Sequence, residues 1–171
     1  MNTEQINTYV AQQRSLTEQK RRTYVNVRSQ AVNTYNALMI ELVTYFTNNE
    51  VRYKKDGYPH KKYAVELAAI TSKYETLTDD RRIVCRITYS RKYGTRSAYQ
   101  HLRVIVSDRS TDHRSSYEQQ GYVPDTVEKF TPVQAVTYEQ VVQAAARKKE
   151  VEKMQSELKG ELHDLNRILN A

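Results

Sequence analysis

Arg82-Ile-Val-Cys-Arg-Ile-Thr-Tyr-Ser90 and Gln100-His-Leu-Arg-Val-Ile-Val-Ser-Asp108 decide the reading of this chain. Both alternate with the period of two that sends successive side chains to opposite faces of a strand. In the first, Ile83, Cys85, Ile87 and Tyr89 fall on one face, and Arg82, Arg86 and Thr88 on the other. In the second, Leu102, Val104 and Val106 point inward, while Tyr99, His101 and Arg103 point outward. Between them, Arg91-Lys-Tyr-Gly94-Thr-Arg96 holds a glycine that permits a turn. The pair predicts an antiparallel hairpin with one apolar face, one basic face and a basic tip.

Upstream, Asp56-Gly57 is a dipeptide preferred in two-residue hairpin turns and is expected to join Val51–Lys55 to Tyr58–Lys62. The next segment, His60–Ser72, supports two readings. Tyr63, Val65, Leu67 and Ala69 alternate like a strand, whereas its alanines and Glu66 favour helix. The alternation tilts the expectation towards strand. Residues 109–136, rich in Ser, Asp, Arg, Gln and Gly, read as a long connection.

The ends read as helices. Across 2–47 no Gly or Pro intervenes, Asn2 or Thr3 can cap the start, and Tyr24, Val27, Ala31, Tyr35, Leu38, Leu42 and Tyr45 recur at three and four residues. Across 138–169, Val142, Ala145, Val151, Met154, Leu158, Leu162, Leu165 and Leu169 form a second stripe. Thr137-Tyr-Glu-Gln140 before it has the form of a capping box, in which hydroxyl and amide side chains satisfy orphan N–H groups reciprocally. The expected fold is α+β: a single domain over 1–171, with a small antiparallel sheet of three or four strands within 51–108 flanked by long helices. Helices this long must bury their stripes against each other or against another copy, so a homo-oligomer is expected.

Charge points to the class of partner. Arg52 to Arg114 holds fifteen Lys or Arg against seven Asp or Glu, a local +8; the remainder holds twelve against thirteen, or −1. Seven of the fourteen tyrosines share that basic stretch. Guanidinium groups pair with phosphate bidentately, and Tyr and Arg planes stack on unpaired bases. The candidate binding residues are therefore Arg82, Arg86, Tyr99, His101 and Arg103 on the hairpin face, with Arg91, Lys92, Tyr93 and Arg96 at the tip. Lys54, Lys55, Lys61 and Lys62 around Asp56-Gly57 form a second basic cluster. The expected partner is nucleic acid, DNA or RNA, or otherwise an acidic protein surface. A solvated sheet face and an edge strand protected by lysines would carry the same residue types. Tyr58–Tyr63 resembles a six-residue fragment of double-stranded RNA-binding domains. The basic start of that family's final helix has no counterpart, and the overlap identifies no family.

Other classes have thin support. Apolar runs are far shorter than the ~18 residues of a membrane span, and the first residues lack the basic and apolar regions of a secretory signal. Cys85 is single, which excludes an internal disulfide and suits an intracellular, cytoplasmic protein. No cofactor motif occurs, and neither metal ligands nor a catalytic set are expected. The weakest alternative is a metal nuclease using Asp108, Asp112 and His113 near His101, or Asp79-Asp80. The Tyr and Asn content is compatible with a phage or mobile-element origin.

Overall fold

The computed structural model describes residues 2–77, 81–89, 102–110 and 115–170. The elements are α1 (Thr3–Asn48), α2 (Lys61–Tyr74), β1 (Thr76–Leu77), β2 (Arg81–Tyr89), β3 (Leu102–Ser110), β4 (Ser115–Tyr122), a 3₁₀ turn (Val127–Lys129) and α3 (Tyr138–Leu169). Strands follow one another in the order β1-β2-β3-β4, every neighbour antiparallel. Long helices at both ends of the chain and an antiparallel sheet between them make the fold α+β. Packing divides the chain into two compact units, Asn26–Ala135 and Met1–Val25 with Val136–Ala171.

In the first unit the sheet stacks its inner face on helices. Ile83 and Cys85 of β2 and Leu102, Val104 and Val106 of β3 are buried against Ala31, Tyr35, Leu38, Met39 and Leu42 of α1 and Leu67 and Ile70 of α2. The α1 residues recur at three and four, which lays one stripe over the sheet. Tyr24, on the same stripe by spacing, lies outside this unit and is exposed. Polar contacts fasten the two helices together: the Tyr45 hydroxyl donates to Glu66, and Lys73 Nζ and the Tyr74 hydroxyl donate to Glu41 at 2.5 Å each.

Residues 61–74 are helical, which corrects the expected strand. A strand would have put Val65 and Ala69 beside Leu67 on the buried face, yet Val65 is 60% exposed and Ala69 is exposed. The helical spacing instead buries Leu67 with Ile70, and Ala68 and Ala69 face outward. The Asp56-Gly57 turn forms, with Gly57 at φ 87°, but its arms are not strands. One bridge, Tyr53 to Pro59, closes it, and α2 begins at Lys61 before a second rung can form. The stretch expected to be a loop contains the end of β3, all of β4 and the 3₁₀ turn. β4 shows no apolar alternation; it is held by its ladder to β3, with Tyr117 packed on the core and Gly121 against Tyr35.

In the second unit the capping box forms as read: Gln140 N donates to Thr137 Oγ1 at 3.2 Å, and Thr137 N donates to Gln140 Oε1 at 2.9 Å. Asn2 makes the same exchange with Gln5 at the start of α1. The Tyr138 hydroxyl donates to Glu18, and the Arg22 guanidinium lies 4.5 Å from the Tyr138 ring centre. Tyr9, Val10 and Lys149 line the same cleft, so α3 runs antiparallel to the first part of α1. No described residue of α3 is buried.

Candidate nucleic-acid interface

Two registers determine what the outer face of the sheet presents. β2 pairs with β3 so that Arg82 lies opposite Arg109, Val84 opposite Ser107, Arg86 opposite Ile105 and Thr88 opposite Arg103. β3 pairs with β4 so that Arg103 lies opposite Tyr122, Ile105 opposite Gln120 and Ser107 opposite Glu118. All of these side chains leave the sheet on the side away from α1 and α2, because their neighbours in sequence form the core. Along β4 the alternation is visible in burial: Glu118, Gln120 and Tyr122 are exposed, while Tyr117, Gln119 and Gly121 are half-buried.

Four arginines therefore share this face with one carboxylate among the described residues, a net charge of +3. Arg82 and Arg109 are direct cross-strand partners, which concentrates positive charge at that end of the face. Arg109 also keeps a buried Nε that makes no hydrogen bond among the described residues. Ile105 and Ser107 sit buried in the middle of the face, Ser107 donating to Glu118 at 3.1 Å. Around this centre Arg86 is exposed, while Arg82, Arg103 and Arg109 are half-buried.

The predicted face residues Arg82, Arg86 and Arg103 are thus brought together. Tyr99 and His101, and the tip residues Arg91, Lys92, Tyr93 and Arg96, lie outside the described residues, as do Asp79, Asp80, Asp112 and His113. Lys54, Lys55, Lys61 and Lys62 are exposed. The turn that carries the first two meets the sheet through Tyr58, whose ring lies 5.6 Å from that of Tyr89 at the end of β2. Tyr89 is an inner-face residue, so this second cluster approaches the same end of the sheet from the helix side.

Two residues escaped the sequence reading. Arg109 continues the outward alternation of Arg103 by three more steps, and extending the strand past Asp108 would have found it. Tyr122 belongs to β4, whose polar composition resembles a loop.

Of the residues named for a metal nuclease, Asp108 alone lies among the described ones. Asp108 points into the inner face, is 1% exposed and is engaged by Arg81 at 2.5 Å, so it presents no carboxylate to a substrate. The Cys85 thiol is buried and pushed up to about 12, first by burial and then by the Glu75 carboxylate, which keeps it protonated and unreactive. Among the described residues no three His, Cys, Asp or Glu side chains gather as a metal site, and no helix is long and apolar enough to cross a membrane. No protein-family model, no curated protein and no solved structure matches the chain.

Proposed function

We propose that this protein binds nucleic acid without catalysing a reaction on it, through the outer face of its sheet. The observation that carries this reading is the gathering of Arg82, Arg86, Arg103 and Arg109 on one face against one carboxylate, Glu118, among the described residues. Surface charge of one sign seeks a polyanion, and phosphate neutralisation releases counterions, so affinity falls steeply with salt. Fluorescence anisotropy with labelled DNA and RNA across a salt series tests it. Replacing all four arginines by glutamine is expected to remove most of the binding. If wild-type protein ignores every nucleic acid at low salt and instead co-purifies with a stoichiometric acidic protein, the same face is a protein-docking surface.

Self-association through the helices is the second part of the proposal. Thirteen large apolar side chains of the second unit, from Ile6 to Tyr24 and from Val142 to Leu169, are more than a third exposed. Together they present on the order of 1,000 Å², comparable with the ~800 Å² per partner that a stable interface buries. The antiparallel register leaves the end of α3 beyond the start of α1, where the large apolar side chains from Leu158 to Leu169 are each more than half exposed, against 37% at Val142. A second copy of the chain supplies helices of matching length and stripe. A single cysteine and the lack of a membrane-crossing helix among the described residues support an intracellular setting, within a host cell if the origin is viral.

A further inference from the structure

We infer that the ligand of the outer sheet face is single-stranded, with its sugar-phosphate backbone along β2 and β3 and a base stacked on Tyr122 at β4. The inference rests on the nucleic-acid reading above and gives it a substrate class. Charge is not spread evenly across this face. Among the described residues every arginine of this face lies on β2 or β3, whereas β4 contributes Glu118, Gln120 and Tyr122. The face thus has a cationic side and a side made of an aromatic ring, an amide and a carboxylate.

A duplex offers phosphates on both sides of each groove and keeps its base faces stacked inside. Beside β4 one of its strands would meet Glu118, which repels phosphate, and Tyr122 would have no base face to contact. A single strand has the same two-sidedness as the protein. Its phosphates match Arg103, Arg86 and the Arg82–Arg109 pair, a track of six residues along β3, or about 20 Å. Its unpaired bases project to the other side. There Tyr122 offers a π-face, and Gln120 and Glu118 offer an amide and a carboxylate to base edges.

Tyr122 is suited to the role by its isolation. It is 62% exposed, and its cross-strand neighbour is Arg103. Other tyrosines of the sheet unit are committed to the protein, among them Tyr45 to Glu66, Tyr74 to Glu41, Tyr35 to Phe130 and Tyr117 beneath Arg28. Tyr122 has no ring, hydrogen-bond or cation partner among the described residues. An exposed ring on an edge strand, with an arginine at the opposite register position, is a platform on which a base can stack while the arginine holds its phosphate.

The test is anisotropy at one fixed salt concentration with oligo-dT, oligo-U and a mixed-sequence DNA duplex of the same length. Single strands are expected to bind more tightly than the duplex. Tyr122→Ala and Tyr122→Leu should weaken single-strand binding roughly 5- to 150-fold, and Tyr122→Phe should restore it. The dependence on salt should stay as in the wild type for all three variants, since no phosphate contact is lost. Circular dichroism of each variant establishes that the sheet persists. If the duplex binds as well as the single strands, or if Tyr122→Ala binds as wild type does, the inference is overturned while nucleic-acid binding stands. If no probe binds at all, the underlying reading fails with it.

Discussion

Gly121 of β4 and Tyr35 of α1 approach so closely that a Cβ atom on Gly121 would lie 2.1 Å from the Tyr35 hydroxyl oxygen. Tyr35 is 5% exposed and its ring packs at 6.3 Å on Phe130, so the ring has little room to turn away. Gly121→Ala is expected to destabilise the sheet unit by about 1–3 kcal/mol through overpacking. Tyr35→Phe removes the clashing oxygen, and the double variant should regain part of the loss in urea denaturation. Equal loss in the single and double variants would show that the close approach is not what demands glycine.

A second pair fastens the chain after the sheet to α1. The Asn36 amide donates through Nδ2 to Val133 O and accepts through Oδ1 from Val133 N, both at 2.9 Å. One side chain thus imitates a strand neighbour. Asn36→Asp keeps the acceptor but sets a carboxylate against the Val133 carbonyl, and should cost about 1–3 kcal/mol. Hydrogen exchange at the Val133 amide is the sensitive readout: it is expected to accelerate in Asn36→Asp and in Asn36→Leu, before global unfolding.

Alkaline pH should weaken the first unit. Burial, followed by the Glu75 carboxylate, raises the Cys85 thiol to about 12; a hydrogen bond to Glu41, followed by burial, raises the Tyr74 hydroxyl to about 12. Tyr45 is shifted in the same direction by burial and by Glu66. For groups whose folded-state values are raised, the stability they contribute is complete below their unfolded values and is lost as pH rises towards the folded ones. The urea midpoint is therefore expected to fall between about pH 9 and 12. Cys85→Val should remove part of the fall. A midpoint indifferent to pH in that window would contradict the assignment.

Helix α3 gives a prediction about assembly. Leu158→Asp with Leu165→Asp places two charges in the exposed stripe, and sedimentation should then report a monomer where the wild type self-associates. The thermal stability of the sheet unit should not move, since no residue of α3 is buried. A wild-type chain that stays monomeric at high concentration would remove the second copy from the proposal.

For the proposed binding face, the arginines should separate from Tyr122 in their salt response. Each of Arg82→Gln, Arg86→Gln, Arg103→Gln and Arg109→Gln is expected to flatten the plot of log affinity against log salt by about 0.7 on single strands. Unchanged slopes would place the phosphates elsewhere on the protein.

Much of this architecture was legible in the residue pattern because it depends on local chemistry. Alternation along Arg82–Tyr89 and Leu102–Asp108 assigns two strands and their faces wherever one side meets a core, and so it placed Arg82, Arg86 and Arg103 together. Thr137 and Gln140 satisfy backbone groups within one turn, so their capping box needs no distant partner. Residues 61–74 were different, since their apolar positions suit either period. Which of them meet a core depends on where α1 and β2 stand, and that position buries Leu67 with Ile70 and leaves Val65 in water. β4 was hidden for a related reason. Its ladder partner is β3, its inner face needs only Tyr117 and a glycine small enough to admit Tyr35, and none of these marks a strand by composition. Residue order alone thus indicated the sign of the proposed binding surface and three of its four arginines. The position of Arg109 opposite Arg82, and of Tyr122 opposite Arg103, came from strand register, because cross-strand neighbours are set by pairing between segments distant in the chain.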